Sequence, residues 1–152
     1  MTDERDQLRE WLVLYREKIA EKCAGLSGEQ LAQMSVPPSG LSLLGLVRHL
    51  TEMERAFLRN GVGGAALPPV YCTDEDPDAD FEGVDGTDAN RVLATWREEC
   101  RLADEAIAAA PSLDAGAWRP LRWCLVKIAT EYARHTGHAD LLRERIDGVV
   151  GD

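Results

Sequence analysis

Apolar residues recur at steps of three and four along most of this chain, the spacing of one face of a helix, and no stretch alternates as a strand would. From about Asp3 to Cys23, the residues Leu8, Leu12, Tyr15, Ile19 and Cys23 form such a stripe, which Ala24-Gly25 ends. Ser27-Gly28-Glu29-Gln30 reads as a capping box opening a short helix through Met34, and Pro37-Pro38-Ser39-Gly40 as a rigid turn. A second long helix is predicted from about Ser42 to Asn60, with Leu43, Leu46, Leu50, Met53 and Phe57 as its stripe and His49 on the flank of that stripe. The third follows Thr87 and runs to about Ala110, with Val92, Trp96, Cys100, Ala103 and Ile107 facing the core. Pro111 ends it, and Pro120 is well placed as the first residue of a fourth helix running to about Asp147, with Gly148 as its stop. That last helix steps regularly through Leu121, Leu125, Ile128, Tyr132, His135, Ala139, Leu142 and Ile146.

Four long amphipathic helices predict an all-α, four-helix bundle occupying residues 1–152 as a single domain. Short connections favour antiparallel neighbours for the first pair and for the last pair. Between the second and third long helices, residues 61–86 carry no periodicity, and a loop of that length can cross the bundle and let those two helices run parallel. Loops so long are uncommon in compact domains and are often functional or mobile. This one is acidic. Asp74, Asp76 and Asp78 alternate as in a calcium loop, but Ala79 and Asp85 stand where an EF-hand would need Gly and Glu. A solvated acidic connection is the simpler reading.

Charge and composition narrow the function. The net charge of −10 argues against a nucleic-acid partner and against an anionic membrane surface, both of which call for a basic face. No apolar run approaches the roughly 20 residues needed to span a bilayer. The polar start Met1-Thr2-Asp3-Glu4-Arg5 has no apolar signal core, so a cytoplasmic protein is expected. None of the four cysteines stands in a C-x-x-C pair; Cys23, Cys100 and Cys124 fall in helical patterns as small buried apolar groups, and Cys72, in the loop, is the candidate exposed thiol.

The chemistry concentrates in the three histidines. Glu131 and His135 stand four apart, one turn of helix, and Glu131 lies about 40° to one side of His135 around the axis. His138 lies on that same side, about 60° from His135. His135 occupies a position where a bundle wants an apolar residue, and a histidine there is more often a hydrogen-bonded core residue than a ligand. Two features favour a ligand: a buried carboxylate is expensive unless paired or metal-bound, and His49 sits mid-helix, able to face this helix across the bundle. Spacing admits two sets for one divalent metal, His49 with Glu131 and His135, or His49 with His135 and His138. Imidazole donors suit zinc, nickel or iron.

Two segments are similar to a known family. Pro37-Pro38-Ser39-x-Leu41-Ser42-Leu43-Leu44-Gly45-Leu46-Val47-Arg48-His49-Leu50 and Glu131-Tyr132-Ala133-Arg134-His135-x-Gly137-His138-Ala139-Asp140 resemble the DinB-like superfamily, in the branch related to mycothiol-dependent maleylpyruvate isomerase. The resemblance covers nearly the whole chain. It implies a bundle of up-down-down-up order and one divalent metal held by a histidine of the second long helix and an H/E-x-x-x-H pair of the fourth. Carried over by position, the ligands become His49, Glu131 and His135, with glutamate in place of the commoner first histidine, as in the isomerase branch. His138 then becomes a substrate-facing or ligand-orienting residue, the candidate catalytic group that moves a proton or holds the electrophile. That branch usually carries a further C-terminal domain, whereas this sequence runs only just past the bundle, so such a domain is not expected to take part.

The function implied is a metal-dependent enzyme using a low-molecular-weight thiol such as mycothiol, as an S-transferase or isomerase, with a small-molecule substrate. Arg48 and Arg134 are candidates for a substrate carboxylate, with surface ion pairing as their plainer role. Gly137, inside a helix, suggests close helix approach or ligand access. Related bundles often form homodimers, to which Trp11, Trp96, Trp118 and Trp123 can contribute, although core packing is the default role for most of them. A metal-dependent hydrolase, iron-dependent oxygen chemistry and a non-catalytic, stress-related metal-binding protein are the alternative readings.

Overall fold

The structure is a computed structural model and describes residues 2–151. All regular structure among them is helical. Helix α1 spans Glu4–Cys23, α2 Gly28–Leu31, α3 Leu43–Met53, α4 Ala89–Ala109 and α5 Leu121–Asp147. Short polar caps set the boundaries. Asp3 accepts the Asp6 backbone N–H at the start of α1, and Ser42 does the same for Gly45 at the start of α3. Ser27 and Gln30 form the reciprocal capping box predicted for α2. That helix stops at Leu31 rather than Met34: Leu31 is buried, whereas Met34 is 62% exposed and gains nothing from extending the turn. Gly148, at φ 81°, takes the left-handed conformation that closes α5.

The predicted stripes of α1, α4 and α5 face the core. Leu12, Ile19, Val92, Trp96, Ala103, Ile107, Leu121, Leu125, Ile128, Tyr132 and Ala139 are all buried, and Cys23 and Cys124 join them. The stripe of the second long helix departs from expectation after Leu50. From Glu54 to Asn60 the helix widens into π-helical turns, with Gly61 N–H bonding back to the Ala56 carbonyl and Gly63 N–H to that of Leu58. Core positions then step by four, through Leu50, Glu54, Leu58 and Val62, so Phe57 leaves the core and Met53 is only half-buried against it.

Glu54 is thereby completely buried, a costly place for a carboxylate, and its partners meet that cost. Arg16 Nε and Nη2 donate to it at 2.8 and 2.7 Å, Tyr132 Oη donates at 2.6 Å, and the Cys100 thiol at 3.4 Å. Trp96 Nε1 donates in turn to Tyr132 Oη at 2.8 Å. Burial, followed by the Glu54 charge, pushes the Tyr132 hydroxyl far above its ordinary value, so it remains a donor.

Of the four tryptophans only Trp96 is a core residue. Trp11, Trp118 and Trp123 are 55%, 59% and 40% exposed, because their positions lie on outward faces or in the α4–α5 connection. The long loop is not a loose acidic tether. Five side chains of α3 and its π-helical extension fasten it: Arg48 donates to the Ala79 and Glu82 carbonyls, Glu52 accepts from the Val70 and Tyr71 N–H groups, Arg55 donates to the Pro68 carbonyl, Asn60 exchanges two bonds with Leu67, and His49 meets Asp80. No helix of the described residues is long and apolar enough to cross a membrane.

Candidate metal centre

His49 from α3 and Glu131 and His135 from α5 converge, with their ligand-capable atoms all within 4.8 Å of one another. His49 Nε2 and His135 Nε2 each lie 3.4 Å from Glu131 Oε2. Three donors at zinc bond lengths of about 2.0–2.2 Å and tetrahedral angles stand about 3.4 Å apart, so the two imidazole–carboxylate spacings suit one small divalent ion.

Each donor is held from behind. Asp80 Oδ2 lies 2.8 Å from His49 Nδ1, and its other oxygen accepts the Phe81 N–H at 3.0 Å. Burial raises the Asp80 carboxyl, but His49, Cys72 and the Phe81 N–H outweigh it and hold the group below its ordinary value. An ionised Asp80 can only accept, so Nδ1 of His49 carries a proton, and Nε2 is the atom that faces Glu131. Phe81 stacks on the His49 ring with centroids 4.5 Å apart. This approach of the loop depends on Gly45: a Cβ there would stand 3.3 Å from the Phe81 carbonyl oxygen and 3.0 Å from Ser42 Oγ.

Glu131 divides its oxygens. Oε2 faces the two histidines, while Oε1 accepts from Lys127 Nζ at 2.7 Å. Burial works to raise its pKa, but the hydrogen bonds from Lys127 and His49 lower it overall, leaving a carboxylate at neutral pH. Burial, reinforced by His49 and opposed by Glu131, pushes His135 down to about 4, so its ring is neutral and able to ligate. His135 Nδ1 lies 3.2 Å from His138 Nδ1. His138 therefore addresses the nitrogen of His135 that points away from Glu131, and it stands outside the converging trio.

The other expected residues fall as follows. Arg48 is committed to two loop carbonyls and lies 4.5 Å above the Tyr71 ring, so it serves the loop rather than a free carboxylate. Arg134 is exposed. Gly137 contradicts the crowding expectation, since an added Cβ would meet nothing within 4 Å. Cys72 is half-buried in the loop rather than freely exposed; burial, opposed by a backbone hydrogen bond, raises its thiol to about 11, too high for a nucleophile at neutral pH. Asp80 and Lys127 were missed by sequence reasoning. Lys127 stands four residues before Glu131, a spacing that could have found it, whereas nothing local separates Asp80 from its acidic neighbours.

Beside His49, a groove of about 340 Å³ runs along Met53, Ala56 and Asn60, with Cys72, Asp80 and Phe81 on its loop side. That volume lies within the range of small-molecule sites. The site thus joins the His49 ring, a neutral His135 ring and an ionised carboxylate to a groove open to a small ligand. A family model described as Mycothiol-S-transferase matches residues 7–148. The chain belongs to the mycothiol S-transferase family. This is a DinB-like, mycothiol-related family, in keeping with the resemblance of the two motifs. No curated protein and no solved structure matches the chain.

Proposed function

We propose that this mycothiol S-transferase family member transfers a low-molecular-weight thiol, mycothiol by family membership, to a small electrophilic acceptor, using one divalent metal held by His49, Glu131 and His135. The observation that carries the reading is the convergence of those three side chains beside the groove. Zinc is the first choice from the donor set, with nickel or iron as alternatives. A metal held by these residues would supply an open coordination position and would favour the thiolate form of a thiol bound there. Asp80 fixes the His49 ring and Lys127 fixes the Glu131 carboxylate. His138 has two roles in this proposal. Its Nδ1 accepts the His135 Nδ1–H and orients that ring, and its Nε2, which has no protein partner among the described residues, is left to the substrate as the catalytic hydrogen-bond donor. In the transfer, the thiol sulfur forms a bond to the electrophilic carbon, the carbon–leaving-group bond breaks, and the thiol proton is released.

The same proposal includes the bundle order up-down-down-up. Glu4 pairs with Arg122 and Lys22 with Asp140, which supports parallel α1 and α5. His49 lies at Glu131 and Phe57 at Trp123, which supports antiparallel α3 and α5. Four free cysteines suit a reducing, cytoplasmic setting.

The test is turnover of mycothiol with a fluorogenic electrophile by the metal-loaded protein. The expected result is catalysed thioether formation that disappears with a chelator and in His135→Ala. Equal rates with and without protein would overturn the proposal.

A further inference from the structure

We infer that the aromatic cluster of half-buried Phe57 with exposed Trp118 and Trp123 is a binding platform for an elongated, planar carboxylate. This deepens the transferase proposal by naming the chemical class of its acceptor, and rests on that proposal for the acceptor role alone.

The cluster is built. Phe57 and Trp118 stack with centroids 6.0 Å apart at 26°, Trp123 tilts against Phe57 at 5.9 Å, and the two tryptophans meet edge-on at 6.0 Å. Phe57 reaches this surface because the π-helical turns rotate it off the core stripe, and such turns are frequent at functional sites. Two large aromatic rings left about half open to water are a recognition feature more than a packing one.

Charge selects the ligand. Arg119 lies 5.5 Å from the Trp118 ring centre and 5.1 Å from that of Trp123. Among the described residues its guanidinium has no carboxylate partner, as is also true of Arg9, Arg97 and Arg134, but of these four it is the one set against aromatic rings, in a chain of net charge −10. A guanidinium set against aromatic faces with its donors unclaimed is suited to a carboxylate on a planar π-system.

Position ties the platform to the site. Lys127 lies 5.8 Å from the Phe57 ring centre and bonds Glu131. Phe57 stands eight residues after His49 on one helix and Trp123 eight before Glu131 on the other, the latter about 12 Å of α-helical rise. A carboxylate anchored at Arg119 with its rings on Trp123 and Phe57 would extend past Lys127 toward the trio. The ligand must therefore be long, of biphenyl size or larger.

The experiment titrates 4-biphenylcarboxylate into metal-stripped wild-type protein by calorimetry and by tryptophan fluorescence, beside neutral 4-biphenylmethanol and saturated bicyclohexyl-4-carboxylate. Arg119→Gln and Trp123→Leu are measured by calorimetry, with circular dichroism confirming their fold. Saturable binding of the aromatic acid is expected, weakened tenfold or more in each variant and for each altered probe. No binding, or equal binding by wild type and both variants, would overturn the inference. So would a wild-type dimer in sedimentation that Trp123→Leu makes monomeric, since the cluster would then be a contact between copies. Because the protein is metal-free, failure here leaves the metal centre standing, and loss of the metal centre leaves this binding unchanged.

Discussion

Replacing Asp80 with alanine removes the one hydrogen-bond partner of His49 Nδ1 without touching a ligand atom. The bond is 2.8 Å long, and the Asp80 side chain is 5% exposed, so solvent does little to screen it. A hydrogen bond to a charged group of this kind contributes about 1.5–3 kcal/mol. Partners that orient a ligating histidine are worth about 10–100-fold in metal affinity, or roughly 1.4–2.7 kcal/mol. Asp80→Ala should therefore weaken metal binding by a factor in that range. Asp80→Asn keeps the shape and one acceptor oxygen but not the charge, and should fall between alanine and wild type because uncharged bonds are about half as strong. The loop should stay in place, since Arg48, Glu52, Arg55 and Asn60 hold it independently. The assay is competition for zinc against a chelator of known affinity, with thermal unfolding of the metal-free protein as the control for folding. Wild-type affinity in a folded Asp80→Ala protein would refute the orienting role.

Gly137→Ala should stabilise the protein by about 1 kcal/mol in urea unfolding, because the site is open and helical glycine is costly; unchanged or reduced stability would show a contact that the open surface does not reveal. Arg16→Met strands the buried Glu54 carboxylate and should cost about 3–5 kcal/mol, read by the same unfolding curves, whereas a loss under 1 kcal/mol would mean that Tyr132 and Cys100 suffice. The Cys23 thiol, pushed up to about 12 by burial, should resist iodoacetamide at pH 8 in the native protein and react fully in urea. Its folded pKa lies above the ordinary 9.0, so its contribution to stability is complete below pH 9 and is lost as pH rises from there toward 12, which alkaline unfolding of Cys23→Ala against wild type would check.

Periodicity located the helices because each long one buries a single face, and α5 follows its predicted stripe from Leu121 to Leu142 with His135 in place. It failed at Glu54, where the helix widens: a stripe drawn at α-helical spacing puts Met53 and Phe57 inside and leaves a buried carboxylate unforeseen. No local signal announces a π-helical turn, since Glu54 is tolerated only through Arg16 and Tyr132, which are distant in sequence. Glu131 and His135 were legible from their spacing on one helix, and His49 as the remaining histidine outside it. Spacing alone favoured Glu131 only slightly over His138; in the fold Glu131 lies among the converging donors, while His138 meets Nδ1 of His135 one turn away on the same helix. Asp80 was hidden among seven acids of one loop, because what distinguishes it is a fold-back anchored by α3 and allowed by Gly45.

The most direct test of the central claim is elemental analysis of metal in the protein purified without chelator, beside His49→Ala, Glu131→Ala, His135→Ala and His138→Ala. The account predicts near one equivalent of a divalent metal in wild type, lost in the first three variants and retained, with weaker binding, in His138→Ala. Metal kept by Glu131→Ala and lost by His138→Ala would put the third histidine in the ligand set, and no metal in the wild type even after titration would contradict the account outright.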